Sequence, residues 1–240
     1  MAGTDEAEPG ASGGPRPTAG DRDAPYLVGL FALTVATGVV DAVSYLALDH
    51  VFTGNMTGNV LFVGFGLAGA GSVPLLNNAV ALAGFLTGAT VAGRLVRGRT
   101  HRTRLPTAHV LILTLTAVAI LGLGLAWLLL GTPTGGLLLG LTALLAAAMG
   151  MQAIAARGAR IPDVTTVVIT STLMNLALDS QLAGGVGERW GRRVGAIASM
   201  AAGGALGAVL VRSWSGAGAL LVGGVLMALG AGALARARSS

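Results

Sequence analysis

Thr53, Asn55, Thr57 and Asn59 crowd one short stretch, VFTGNMTGN (51–59), between two long apolar runs. Hydroxyl and amide side chains donate and accept hydrogen bonds without ionising, so the chemistry open to them is capping and ligand binding. Gly54 costs about 1 kcal/mol in a helix interior, and Asn and Thr favour caps and turns. The spacing therefore predicts an extended approach followed by a helix that begins near Thr57. Thr53, Asn55 or Thr57 would cap it, and its free amides and positive dipole end could receive an anion or a carboxylate. Asp41 lies earlier, inside an apolar run, where a carboxylate costs several kcal/mol unless paired, protonated or hydrated. Proton or cation coupling is the chemistry it could supply. The alternative is a structural aspartate that caps the neighbouring break or pairs with an arginine. Ser44 and Tyr45, one turn on, can hydrogen-bond into the same space. A second polar group, Gln152 followed by Thr170, Thr172 and Asn175, is expected to face the first across a shared interior.

The elements that would position these residues are membrane helices. Hydrophobic residues make up 53% of the chain and charged residues only 10%, with a mean hydropathy of +0.77; a soluble domain carries about a quarter charged residues. All 15 basic residues are arginines, set singly or in short groups at the ends of apolar runs, as orientation signals are. That placement argues against a nucleic-acid partner and for the lipid bilayer. With no cysteine, disulfides and thiol chemistry are excluded. Residues 1–26 are acidic and rich in Gly, Pro and Ala, the composition of a disordered tail, and 27–240 read as a single transmembrane domain.

Apolar runs fall at about 27–48, 57–71, 78–96, 107–130, 136–156, 166–182, 194–211 and 216–235. The runs 57–71 and 166–182 are short or polar at their starts. If all eight crossed, the arginines would divide almost evenly between the two sides. If the two short runs enter and return on one side, only Arg212 lies opposite the rest, with both termini cytoplasmic in an inner (plasma) membrane. The expected fold is an all-α polytopic helix bundle, with about six full crossings plus two short broken or re-entrant helices.

The halves, about 27–130 and 136–236, resemble one another. GVVDAV (38–43) aligns with GMQAI (150–154) when Asp41 is set against Gln152, FTGNM (52–56) with ITSTL (169–173), and ALAGFLTGATVAGRLV (81–96) with AIASMAAGGALGAVLV (196–211). Arginines follow the third element of the first half and precede that of the second, which predicts opposite orientations and an inverted repeat of the kind that builds many secondary transporters. Gly84/Gly88 and Gly203/Gly207 have the small-xxx-small spacing of close helix packing.

Other polar positions carry less. Asn77 and Asn78 are expected to cap the third run, and Asp49 and His50 to sit at a rim. Asp179 and Gln181 are expected at a solvated helix end, with the inner vestibule as the alternative, and Arg160 could pair locally with Asp163. Scattered His50, His101 and His109 make no metal site. The G-x-G-x-x-G at 64–69 has neither a preceding strand nor a following acid, so no dinucleotide is expected. No acid, base and nucleophile set supports an enzyme, and no cofactor is implied.

Gly38, Asp41-Ala42, Ser44-Tyr45-Leu46 and Phe52 with Asn55-Met56-Thr57-Gly58-Asn59 resemble the signature of the YoaK-type family of bacterial multi-pass membrane proteins, with Gln152-Ala153 and Thr170–Asn175 a looser match. The resemblance runs from about residue 27 to the C-terminus and implies a membrane fold of unknown function. The residues themselves suggest a transporter or permease for a small molecule or ion, with a polar cavity at mid-depth. The alternative is a non-transporting scaffold that packs through its glycine faces with a partner or a second copy.

Overall fold

An apolar run of some 20 residues can satisfy its own backbone in hydrocarbon only by becoming a helix, and the long runs here do so. The structure, a computed structural model, describes residues 19–97, 105–161, 164, 169–187 and 189–239. Six helices are long and apolar enough to cross a membrane: α1 (Ala19–Ala47), α3 (Leu75–Val96), α4 (Thr107–Leu130), α5 (Gly135–Ala156), α7 (Trp190–Ser213) and α8 (Gly216–Ser239). Two more, α2 (Met56–Leu67) and α6 (Ile169–Leu178), have 12 and 10 residues. At 1.5 Å per residue they reach about 18 and 15 Å, roughly half of a 30 Å hydrocarbon layer. The expected six crossings plus two short helices are thus present among the described residues. The boundary of the acidic tail is different, since α1 begins at Ala19 and buries Asp23 against Arg192 at 2.5 Å.

Helix directions follow from which ends meet. The start of α1 lies beside the start of α7 through Asp23 and Arg192, and beside the end of α8 where Gly29 abuts Leu234. The end of α1 meets the start of α8 and the end of α4, because Gly216 sits against Ala47 and Trp127. So α1, α4 and α7 run one way, and α3, α5 and α8 the other. Arg94, Arg97, Arg157, Arg160, Arg189, Arg192, Arg193, Arg236 and Arg238 all lie at the end where α1 starts; among the described residues beyond α1's own first turn, Arg212 alone lies opposite.

Two helix pairs are joined by backbone contact through glycine. α1 runs parallel to α7, with Gly203 against the Val35 backbone and Gly38 so close that a Cβ there would lie 2.5 Å from the Met200 carbonyl oxygen and 2.8 Å from the Gly204 nitrogen. α5 runs parallel to α3 in the same manner: Gly88 abuts the Ala147 backbone, and a Cβ at Gly150 would collide with the Phe85 carbonyl and lie 2.9 Å from the Ala89 nitrogen. Val35 and Gly38 thus correspond to Ala147 and Gly150 by one displacement along the chain, and Met200, Gly203 and Gly204 to Phe85, Gly88 and Ala89 by another. Beyond these pairs, α8 packs on α1 and α4 on α5, α4 and α8 meet each other, α2 lies on α3, and α6 lies on α7. Exchanging α1–α4 with α5–α8 turns this set of interhelical contacts into itself.

The glycine register corrects two sequence alignments. α1 and α5 are unbroken helices, so the one-residue gap that set Asp41 against Gln152 has no place; a helix cannot drop a residue without a bulge. With Gly38 matched to Gly150, Asp41 corresponds to Ala153 and Gln152 to Val40. Likewise FTGNM is non-helical through Asn55, whereas ITSTL forms the first turn of α6.

Candidate functional site

Between α1 and α2 the chain must expose amides and carbonyls at membrane depth, and each needs a partner in the protein. Side chains supply them. Asp41 Oδ1 accepts from the Thr53 amide at 3.1 Å and the Gly54 amide at 2.6 Å. The Asn59 side chain reads both sides of Phe52: its Oδ1 accepts from the Phe52 amide at 3.0 Å, and its Nδ2 donates to the Phe52 carbonyl at 2.5 Å. Asn77 Nδ2 donates to the Leu48 carbonyl at 2.8 Å. Ser44 Oγ donates to the Asp41 carbonyl and accepts from Thr53 Oγ1 at 3.4 Å. Asp41, Ser44, Thr53, Asn59 and Asn77 are all buried.

These bonds set the depth of the break. Asp41 lies six residues before the end of α1, about 9 Å along the helix, so Thr53 and Gly54 have turned back into the bundle by that distance. α2 starts there, and α3 starts beside Leu48 at the end of α1 through Asn77. α2 therefore starts inside and returns to the side it left. An aromatic stack lines the return: Tyr45 and Phe52 have ring centroids 4.8 Å apart, Phe52 and Phe62 6.4 Å.

Beside the break is an open cavity, a cleft of about 330 Å³. Its walls come from α1 (Gly38, Asp41, Tyr45), from the break (Phe52, Asn55) and from α7 (Met200, Gly204, Ala208). The second oxygen of Asp41, Oδ2, is buried without a hydrogen-bond partner. A Cβ on Gly54 would lie 3.2 Å from each Asp41 oxygen, so the absence of a side chain there lets the backbone close on the carboxylate. The carboxylate found at the break is the protein's own, since Asp41 accepts from the Thr53 and Gly54 amides just ahead of α2.

Among the sequence candidates, Asp41, Ser44, Tyr45, Thr53 and Asn55 come together, and Asn59 holds the turn from behind. Thr57 is exposed on α2, and Asn55, although at the N-cap position, makes no side-chain cap bond. Thr170, Thr172 and Asn175 do not form a facing break: they lie within α6, Thr170 exposed and Thr172 buried, on a helix that packs on α7. Gln152 is fully buried in α5 and does not line this cavity. Asn77, expected only to cap α3, instead holds the end of α1, while Asn78 bonds to the Pro74 carbonyl of its own turn. Asp179 pairs with the buried Arg193 at 2.6 Å, and Arg193 also donates to the Asn175 carbonyl at 2.9 Å. Sequence reasoning treated Arg193 as an orientation charge; the signal for the pair is one acid near the end of α6 and basic residues at the start of α7. His101 and Asp163 lie outside the described residues. Among those described, no group of three acidic or histidine side chains could hold a metal ion.

A family described as "Protein of unknown function (DUF1275)" matches residues 29–233. The "UPF0700 transmembrane protein YoaK" of Bacillus subtilis (strain 168) is 34% identical over 151 residues, 62% of this chain. The match spans 65% of that relative's length. No solved structure matches the chain.

Proposed function

This chain belongs to the DUF1275 family, and from that membership together with the geometry of its first half we propose that it is a permease for a small molecule or ion. The observation that carries the reading is the cavity beside the α1–α2 break, at membrane depth, with the buried carboxylate of Asp41 in its wall. Non-helical backbone inside a membrane survives where it is buried in protein or lines a cavity, and an ionisable residue there points to function. The opposite directions of α1 and α5, of α3 and α7 and of α4 and α8, with their matched glycine contacts, support an inverted repeat, the design in which one half rocks against the other around a central site. The arginine-rich end is then the cytoplasmic one, with both termini inside and the chain in the inner (plasma) membrane.

Because the chain has no cysteine, single substitutions Asn55→Cys and Ala208→Cys report directly on access. A permease exposes both positions in turn, so a membrane-impermeant maleimide should label them in right-side-out and in inverted vesicles. Labelling confined to one face, or absent from both, would remove the permease and favour a scaffold. The use of Asp41, Asn59 and Asn77 to satisfy backbone is what supports that second reading, since those roles require no substrate.

A further inference from the structure

We propose that the cavity between α1, the break and α7 is a binding site for a small organic cation, a primary alkylammonium in chemical class. The inference rests on the permease reading for its setting and on three separate features for its chemistry.

First, no counter-charge to Asp41 lies among the described residues. Oδ1 is held by two backbone amides, which are dipoles, and no basic side chain among the described residues pairs with either oxygen. Oδ2 is buried and has no hydrogen-bond partner, and Asp41 is one of the residues that line the cavity. A carboxylate inside a membrane domain needs a proton or a cation to offset it, and an ammonium supplies both the charge and an N–H donor for the orphan oxygen.

Second, Asp41 already sets a carboxylate at the break, bonded to the Thr53 and Gly54 amides just ahead of α2. A second negative group in the same 330 Å³ would lie against that carboxylate.

Third, the remaining wall suits an alkyl or aromatic-contacting cation better than a bare metal ion. A sodium or calcium ion needs about six oxygen ligands. Here Tyr45 and Phe52 offer stacked ring surfaces, Met200 and Ala208 offer apolar ones, and Asn55 adds a single amide. Aromatic faces attract ammonium groups. Gly204, with open space where a Cβ would stand, leaves room that a larger side chain would fill.

The test is the melting temperature of the full chain in detergent, with butylammonium chloride, sodium chloride and sodium butyrate at matched ionic strength. Butylammonium should raise it saturably, by about 3–5 °C at roughly ten times the dissociation constant, and the two sodium salts should not. Asp41→Asn keeps an acceptor for Thr53 and Gly54 but loses the charge, so apparent affinity should fall by about tenfold or more. Ala208→Leu fills the cavity and leaves Asp41 intact; it should abolish the shift, and it decides the matter if Asp41→Asn does not fold. A shift with butyrate, an equal shift with sodium chloride, or one that survives Ala208→Leu would overturn the assignment. Binding without two-sided cysteine labelling would keep the cation site and sink the permease; two-sided labelling without binding would do the reverse.

Discussion

Asp41 Oδ1 accepts a 2.6 Å hydrogen bond from the amide of Gly54, thirteen residues further along the chain, and so ties the last two turns of a membrane helix to the turn that follows it. Removing the acceptor should strand two buried amides. Asp41→Ala is expected to cost roughly 2–5 kcal/mol, and Asp41→Asn, which keeps an oxygen in place, about 1 kcal/mol. Unfolding of the full chain in detergent measures the order, and equal losses for the two variants would show that the amides do not depend on this side chain.

Asn59 holds Phe52 through both its amide and its carbonyl. Asn59→Asp keeps the acceptor and loses the donor, whereas Asn59→Ala loses both. Hydrogen exchange of the 48–56 segment should accelerate in the order wild type, Asp, Ala, with the alanine variant about 10- to 100-fold faster if two bonds of roughly 1 kcal/mol each are lost. Exchange unchanged in the alanine variant would mean that the turn is held elsewhere.

Gly88 and Gly203 occupy corresponding places, each pressed on a helix backbone. Alanine at either should force the helices apart, costing about 1–3 kcal/mol, and the two losses should be similar. Gly122 lies in α4 with open space where a Cβ would stand, so Gly122→Ala should be neutral or stabilising by up to about 1 kcal/mol. Thermal unfolding of the three variants, measured side by side, checks the symmetry of the packing.

The end that carries the arginines should face the cytoplasm. With Thr132→Cys in the α4–α5 loop and Ser239→Cys at the end of α8, both exposed, an impermeant maleimide added to intact cells should label the first and spare the second. The opposite pattern would invert the topology.

Much of this arrangement is legible in the residues, and the gaps have physical causes. Length and apolarity marked two runs as short, and the arginines gathered at one end chose six crossings; the structure gives those two helices 12 and 10 residues, below the threshold that hydrocarbon thickness sets. The first break was legible because Gly54 and Asn55 both resist helix. The Thr170–Thr172 tract was read as the second break itself, whereas it forms the first turn of the short helix α6, where threonine is compatible with helix. Its hydroxyl can bond the carbonyl one turn back, as Thr34 and Thr37 do to Leu30 and Leu33 within α1. Asp41 was legible as a buried charge, with capping of the break among its possible roles. That Asn59 reads the backbone of Phe52 was not, since it depends on how sharply the chain reverses between them. Nor could composition give the register of the glycine contacts, in which Gly38 meets the α7 backbone and Gly150 the α3 backbone; the packing does.

The interleaving of the helices has a consequence for biosynthesis. α1 packs chiefly on α7 and α8, and α3 on α5, so the amino-terminal half enters the bilayer before its main neighbours have been translated. Such a nascent chain has to wait, with Asp41 sheltered only by its own following turn, until the carboxy-terminal segments arrive. Fragments cut in the α4–α5 loop should accumulate together and be degraded apart.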